Sequence, residues 1–462
     1  MKKLLKSFLP ALFILITTAC SNEELLVPES APGFSPEEKN SQTLSSQRKL
    51  QNDGERVDCY VVQSWYQLML KLIKETPGHT PPIAARSIGY TGVALYESLV
   101  GEMPHHHSLT GQLNGLTSIP RRVYGNSYSA PLTANAALAR IIKVLFQNAS
   151  LANAQRVDSL ESANENLYAT HLSEVIIMRS RDYGRAVADA VFNWSVTDGG
   201  HAAYLNNFPS DFTPPTGEGK WTPTPPLNQN AMLPYWGDNR PMAIANSTGS
   251  DVDPPAPPAF SVTPESDFYA AAYEVYNTSL NLTPEQNTIA LYWADGANTF
   301  TPPGHNIAIA LQIAHSQKFS LNQAAMLLAK IGIALNDAAI VCWRTKFKTN
   351  LLRPVSFIRL YIDASWTSSI DTPPFPSYTS GHSTFSSAAC SILAAEIGNQ
   401  ISFTDSSKVA EGFSPRSFNH FMEAAQEAAV SRLYGGIHYN FDNDNGFICG
   451  QQIALHVEQL MW

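Results

Sequence analysis

The sequence predicts an all-α protein built from helical bundles, expected to be two packed four-helix-type bundles with one long Pro-rich irregular insertion. Three observations lead to this prediction. Apolar residues recur at helical spacing through most of the chain, alternating strand patterns are almost absent, and 44% of the 462 residues are apolar. A chain of this length and composition can bury a sizeable core in one large domain or two closely packed ones.

The beginning of the chain has the pattern of an export signal. Three lysines among the first six residues precede an apolar run over 8–16, which is too short for a membrane-spanning helix. Small residues then stand directly before Cys20, as in a bacterial lipobox. We therefore expect a signal peptide over 1–19, a lipidated Cys20, and an exported lipoprotein anchored on the periplasmic or cell-surface side. The alternative is an ordinary signal peptide with an incidental cysteine.

The segment over 20–57 is rich in Ser, Glu, Asn and Gln, which is typical of a solvated tether. An N-terminal helical region over 58–264 and a C-terminal helical bundle over 265–462 are predicted to follow. The first region ends in a loop over 198–264 that is dense in Pro, Gly and Asn. The predicted helices cover 65–72, 83–99, 131–148, 170–195, 265–278, 284–295, 304–316, 321–347, 383–397, 416–434 and 443–460.

Charge and cysteine content narrow the function classes. The formal net charge is -9 and no basic cluster occurs beyond the N-terminus, so no nucleic-acid partner is expected. The cysteines after Cys20 are scattered without the paired spacing of a zinc site. They could form disulfides in an exported protein or remain buried free thiols. These residues are Cys59, Cys342, Cys390 and Cys449.

The first of three motifs in the last quarter of the chain is KFKTNLLRP over 346–354. Lys346 and Arg353 are seven residues apart, so on one continuous helix both side chains would project from the same face. Pro354 disfavours a helical conformation for the residue before it and is expected to end the helix at Arg353. Two cations at a helix C-terminus are also favoured by the helix dipole. A solvated basic face is the alternative interpretation.

The second motif, PSYTSGH over 376–382, precedes a predicted helix. Ser380 is a natural N-cap, and Gly381 leaves its backbone N–H open to a ligand. Helix N-termini with free N–H groups bind anions, and His382 in the first turn could exchange a proton with the bound group. A capped helix with an incidental histidine is the alternative.

The third motif, SRLYGGIHYNFD over 431–442, supplies Arg432, His438 and Asp442. Asp442 stands four residues after His438 at the start of a predicted helix and can accept the imidazole Nδ1–H. That hydrogen bond would leave Nε2 free as a nucleophile or ligand. Together the three motifs predict a site for a tetrahedral oxyanion, such as phosphate or vanadate, beside an imidazole.

The order and spacing of these motifs resemble the signature shared by type 2 phosphatidic-acid phosphatases and vanadium-dependent haloperoxidases. The longer middle motif resembles the haloperoxidase branch. The resemblance implies a vanadate cofactor with His438 as the direct vanadium ligand and His382 as the acid–base residue, with catalytic contributions from Lys346 and Asp442. It also implies contacts to the vanadate oxygens, and these would come from Lys346, Arg353, Ser380, Gly381 and Arg432.

Further residues resemble the chloroperoxidase-like subgroup of that family. Trp343 and Phe375 match aromatic positions that line its halide site, although most helical proteins use such residues in their cores. The segment over 283–308 is similar to the same subgroup and suggests Asp295 as a partner that supports Arg353. Asp295 could instead be a turn residue, and His305 could line a pocket entrance or cap a helix.

The resemblance implies a vanadate-dependent haloperoxidase that oxidises a halide ion with hydrogen peroxide to a hypohalous acid equivalent, with a small organic acceptor as a further partner. The alternative enzyme is an acid phosphatase of the phosphatidic-acid phosphatase type. There His438 would form a phosphohistidine and His382 would protonate the leaving alcohol. A non-catalytic surface lipoprotein is the third hypothesis, but so many buried charges are costly without a ligand.

Overall fold

The structure, a computed structural model, describes residues 59–462. The predicted signal peptide (1–19), the lipidated Cys20 and the tether (20–57) lie outside the described residues. The all-α prediction is confirmed. The helices of the described part are α1 (Tyr60–Glu75), α2 (Pro81–Leu99), α3 (Ala130–Leu145), α4 (Leu151–Tyr168), α5 (Glu174–Ser195), α6 (Asp267–Leu280), α7 (Pro284–Tyr292), α8 (Thr301–Ser316), α9 (Leu321–Thr349), α10 (Pro354–Tyr361), α11 (Gly381–Ile397), α12 (Phe421–Tyr434) and α13 (Asn440–Glu458).

Two of these helices and one small sheet differ from the prediction. Helix α4 was not predicted because its buried face contains only one apolar residue, Val157. Helix α10 has eight residues, too few for a clear period. Strands β1 (Phe403–Asp405) and β2 (Arg416–Phe418) pair antiparallel, so the start of the helix predicted over 416–434 was wrong. Three residues are too short a strand for alternation to be recognised.

Helix α9 runs through the centre of the protein and packs along α2. The two backbones approach closely at Gly92, where an added Cβ would lie only 2.8 Å from the Leu328 carbonyl oxygen. Among the described residues, α9 is the one helix long and apolar enough to cross a membrane, but 94% of its apolar window is buried in the fold. One hydrophobic core includes residues from both predicted helical regions, and the division at 264 stays a prediction.

The irregular insertion over 198–264 is anchored on α9. It contains only short 3-10 turns, such as Trp236–Asp238. The carboxylate of Asp337 on α9 accepts hydrogen bonds from the backbone N–H groups of Met242 and Ala243, at 2.7 and 2.9 Å. The Met232 carbonyl accepts from the Trp343 indole at 3.2 Å. The insertion therefore covers α9 as far as the functional site.

Cys342, Cys390 and Cys449 are buried free thiols, which decides between the two alternatives for these three cysteines.

Candidate oxyanion site

The fold brings residues of the second and third motifs to the wall of one cavity of about 890 Å³, and Arg353 of the first motif contacts His438 in that wall. The cavity lies where the end of α9, the N-terminus of α11 and the turn between α12 and α13 meet. Lys346, Arg353 and Ser380 are buried behind this wall. The predicted site residues that line the cavity are Asp295, Trp343, Phe375, Gly381, His382, Arg432 and His438.

Lys346 and Arg353 do not share a helix, so that part of the prediction was wrong. Helix α9 ends at Thr349 because Asn350 adopts a left-handed conformation with φ of 50°. Arg353 is extended, with φ of -78° and ψ of 154°, and stands at the N-cap of α10. Its conformation is the one that Pro354 imposes on the residue before it. The two cations therefore reach the site from different elements.

Lys346 is fully buried and holds the loop that leads to α11. Its Nζ donates hydrogen bonds to the carbonyls of Pro376, Ser377 and Thr379, at 3.0, 2.9 and 2.5 Å. An ammonium has three hydrogens, so all of its donors are used within the protein. Burial lowers the pKa of Lys346 to about 7. A contact between Lys346 and a bound oxyanion would therefore replace one of these carbonyls.

We expect Lys346→Met to destabilise the protein by roughly 3 kcal/mol or more, because it removes the ammonium donor from three buried carbonyls. The measurement is the thermal unfolding midpoint of the purified protein. Lys348→Met is the matched control, because Lys348 lies on the same helix and is exposed. Equal midpoints for the two variants would show that Lys346 does not hold the loop.

Arg353 and Arg432 are buried guanidinium groups at the site. Arg353 donates from Nε to the Phe375 carbonyl and from Nη1 to the Ile437 carbonyl, both at 2.8 Å. Its Nη2 has no hydrogen-bond partner within 59–462. Arg432 donates from Nε to Ser431 Oγ at 2.9 Å. Burial lowers the pKa of each arginine to about 10, so both stay charged at neutral pH.

His438 is oriented by a carboxylate, as the sequence predicted. Its Nδ1 lies 2.8 Å from Asp442 Oδ2, and its Nε2 accepts from Arg353 Nη1 at 3.1 Å. Burial, together with Arg353 and Lys346, lowers the pKa of His438 well below its usual value. The imidazole is therefore neutral, with its proton on Nδ1 and its lone pair on Nε2.

Ser377, which was not among the predicted site residues, completes this arrangement. Its hydroxyl donates to Asp442 Oδ2 at 2.5 Å, and the Tyr439 N–H donates to the same oxygen at 3.3 Å. Burial raises the pKa of Asp442 to about 6, and these hydrogen bonds oppose that rise. The sequence signal for this role was the position of the serine, directly after Pro376 in the second motif.

The N-terminus of α11 has the predicted cap. Ser380 Oγ accepts from the Ser383 N–H at 3.4 Å, and Gly381 is the first residue of the helix. His382 Nε2 is buried without a hydrogen-bond partner among the described residues. Burial and then Arg432 lower the pKa of His382 well below its usual value. An uncharged imidazole with an unpaired nitrogen therefore lies beside the cavity.

Trp343 and Phe375 form the aromatic side of the cavity. Both are buried, and their ring centroids are 4.9 Å apart. Lys346 Nζ and Arg353 Cζ each lie 4.9 Å from the centroid of the Phe375 ring. These cation–π contacts stabilise two buried charges on one ring. The two aromatic residues are thus adjacent to the predicted oxyanion contacts.

Asp295 does not support Arg353, which corrects the prediction. Its Oδ2 lies 2.8 Å from Nδ1 of His305, and its Oδ1 lies 2.6 Å from Nζ of Lys408. His305 is completely buried, so it neither lies at a pocket entrance nor caps a helix. Its Nε2 lies 2.8 Å from Oδ2 of Asp405 on β1. His305 lies ten residues after Asp295 and Lys408 lies in a distant segment, so no local spacing indicates these partners.

His305 should make stability depend on pH. Burial opposes its charged form, but Asp295 and Asp405 outweigh burial and raise the pKa of His305 to about 9. The folded pKa exceeds the unfolded value of about 6.5, so the stabilisation is complete below that pH and is lost as the pH rises through 9. We expect the thermal midpoint to fall more steeply between pH 6.5 and 9.5 in the wild type than in His305→Gln. Parallel curves would contradict this.

The residues present fit a tetrahedral oxyanion better than a metal cation. Two buried guanidinium groups, a helix N-terminus and a neutral imidazole whose Nε2 lone pair faces Arg353 converge on the site. Arg353 Nη2 and His382 Nε2 are buried donors or acceptors that lack a partner within the described chain. No group of three or more His, Cys, Asp or Glu residues in that part could hold a metal ion.

Comparison with known proteins identifies the family. The family model of the VCPO second helical-bundle domain matches residues 326–461. A vanadium chloroperoxidase from Curvularia inaequalis is 27% identical to this chain over the matched segment. That segment covers 36% of this chain and 37% of that protein's length.

Solved structures extend the similarity. The crystal structure of a bacterial vanadium-dependent iodoperoxidase superposes with a TM-score of 0.78 and 31% identity, covering 88% of this chain and 97% of that one. A holo-type bacterial vanadium-dependent chloroperoxidase shares the fold, with a TM-score of 0.63 and 16% identity over 82% of this chain and 91% of its own. With a relative this similar over nearly its whole length, the chain belongs to the vanadium-dependent haloperoxidase family.

Proposed function

We propose that this protein is a vanadate-dependent haloperoxidase that oxidises halide ions with hydrogen peroxide to hypohalous acid equivalents. The observation that carries the proposal is the neutral His438, whose Nδ1–H is held by Asp442 while Nε2 lies beside Arg353. A single imidazole lone pair among buried cations suits a vanadate ion, whose oxygens need donors and whose metal needs one nitrogen. Family membership supports the same cofactor.

In this proposal His438 Nε2 is the direct vanadium ligand, and Arg353, Arg432, Ser380 and the Gly381 N–H bind the vanadate oxygens. Arg353 Nη2 is the best prepared of these donors, because it is buried without a partner in the described part of the chain. When bound, vanadate supplies a Lewis-acidic centre that activates hydrogen peroxide towards a halide. Lys346 joins these contacts only after it releases a loop carbonyl.

His382 is the proposed acid–base residue. Its lowered pKa keeps the imidazole neutral, so it can take a proton from hydrogen peroxide at Nε2 and return it to the hypohalite product. Arg432 favours the neutral form, because a second positive charge nearby is costly.

Trp343 and Phe375 are the proposed halide contacts. Their rings line the same cavity as His382 and His438 and present an apolar surface that partly desolvates a halide ion. The cavity of about 890 Å³ leaves room for a small organic acceptor next to the cofactor. Export and anchoring at Cys20 remain part of the proposal and would place the reaction outside the cytoplasm.

The test is an activity assay on protein purified without phosphate. Oxidation of iodide, bromide and chloride by hydrogen peroxide is measured with and without orthovanadate, and phosphate-ester hydrolysis is measured on the same sample. We expect halide oxidation that depends on vanadate. Ester hydrolysis without any vanadate-dependent halide oxidation would overturn the proposal and favour the phosphatase.

A further inference from the structure

A line of buried charged side chains extends from the oxyanion site to strand β1. Asp295 is bound by His305 and Lys408, and His305 is bound in turn by Asp405, with distances of 2.6 to 2.8 Å. These side chains are at most 2% exposed. Asp405 is fixed by the Tyr292 hydroxyl at 2.7 Å and by further hydrogen bonds. Buried ionic groups this well paired keep a defined geometry.

Asp295 is the end of this line that reaches the cavity. It lines the wall together with His382 and Arg432. Its negative charge raises the pKa of Arg432 and of His382, and so partly offsets the lowering that burial causes in both. His305 has the opposite effect on His382. The cavity wall therefore contains a carboxylate together with a cation that an incoming oxyanion would need.

A carboxylate on the wall of an anion site competes with the ligand. If it were free to turn, Asp295 could pair with Arg432 and occupy the position of an oxyanion. In the structure both of its oxygens are engaged elsewhere, Oδ2 by His305 and Oδ1 by Lys408. Stacking on Trp293, with ring centroids 4.5 Å apart, and the bond to Asp405 keep the His305 ring in place.

We propose that His305 and Lys408, with His305 fixed by Asp405, hold Asp295 away from Arg432 and so keep the oxyanion site open. They are positioning residues that touch neither the oxyanion nor the reacting atoms. The choice of vanadate as the physiological oxyanion rests on the proposed function. The positioning of Asp295 affects the binding of any tetrahedral oxyanion, so it can be tested without halide oxidation.

The test is calorimetric titration of the purified full chain with inorganic phosphate and, separately, with orthovanadate. We expect His305→Gln to weaken binding by about tenfold, because only Lys408 then holds Asp295 away from Arg432. Asp295→Asn should bind at least as tightly as the wild type. The double variant should recover wild-type affinity, because the competing carboxylate is gone.

This recovery separates the proposal from a general loss of structure. If His305 only supports the fold, the double variant will bind as weakly as His305→Gln or more weakly, and the proposal is overturned. Unchanged affinity in His305→Gln would also overturn it. If His305→Gln does not fold, Lys408→Met and its double variant with Asp295→Asn give the same test, because Lys408 engages the other oxygen of Asp295.

Glu396→Gln is the matched control. It alters another largely buried ion cluster, in which Lys330 Nζ lies 2.5 Å from Glu396 and 2.7 Å from Glu458, away from the cavity-lining residues. Its oxyanion affinity should equal that of the wild type.

Binding that follows the predicted pattern in a protein without halide oxidation would support this inference and refute the proposed function. Halide oxidation together with a different binding pattern would support the proposed function and refute this inference.

Discussion

His438→Ala is expected to abolish vanadate-dependent halide oxidation, with a loss on the order of 10³-fold or more. In our account this residue supplies the single nitrogen bond to the cofactor, because Asp442 holds its Nδ1–H and its Nε2 faces Arg353. The measurement is the initial rate of iodide oxidation at saturating vanadate. The alanine also removes an acceptor from Arg353, so folding is checked by circular dichroism.

His315→Ala is a suitable control for this loss. His315 lies near the end of α8, where it contacts Gln63 at 3.4 Å in an exposed position. It should oxidise iodide at the wild-type rate. If His438→Ala retained full activity while folded, the site would be misassigned.

Asp442→Asn should lower kcat by roughly 10²- to 10⁴-fold while the protein stays folded, as expected when a histidine is held in the wrong tautomer. The Asp442 carboxylate accepts a hydrogen bond from the Nδ1–H of His438 at 2.8 Å. An asparagine amide that donates to Nδ1 would move the imidazole proton to Nε2, where the lone pair is needed. The measurement is kcat for iodide at saturating peroxide and vanadate.

Ser377→Ala is a milder change at the same carboxylate and is compared with Asp442→Asn. It removes only one hydrogen bond to Asp442 Oδ2 and leaves the carboxylate in place. We expect a loss of about tenfold, the size of one hydrogen bond to a charged group. Equal losses for Ser377→Ala and Asp442→Asn would indicate that the tautomer is not what Asp442 controls.

The parts of the site that were predicted correctly depend on contacts close in sequence. Asp442 reaches His438 because the two are four residues apart across a helix start. Ser380 caps α11 three residues before its partner Ser383. Such geometry follows from local backbone preferences and needs no knowledge of the tertiary fold. The all-α class was predictable for a similar reason, since helical periodicity extends over most helices.

The errors arose where one residue or a distant partner decides the geometry. The left-handed Asn350 ends α9 four residues after Lys346, and this breaks the assumed shared face with Arg353. Asp295 is paired through His305 with Asp405, which lies 100 residues beyond that histidine in the chain. Neither spacing nor composition indicates such a pair. Long-range contacts of this kind require the folded structure.

A crystal structure of the protein soaked with orthovanadate would test the central claim most directly. We predict vanadium bonded to His438 Nε2, with Arg353 Nη2 donating to one of the vanadate oxygens and Arg353 Nη1 displaced from His438. Vanadium density elsewhere, or an oxyanion in the cavity without a bond to His438 Nε2, would contradict the account.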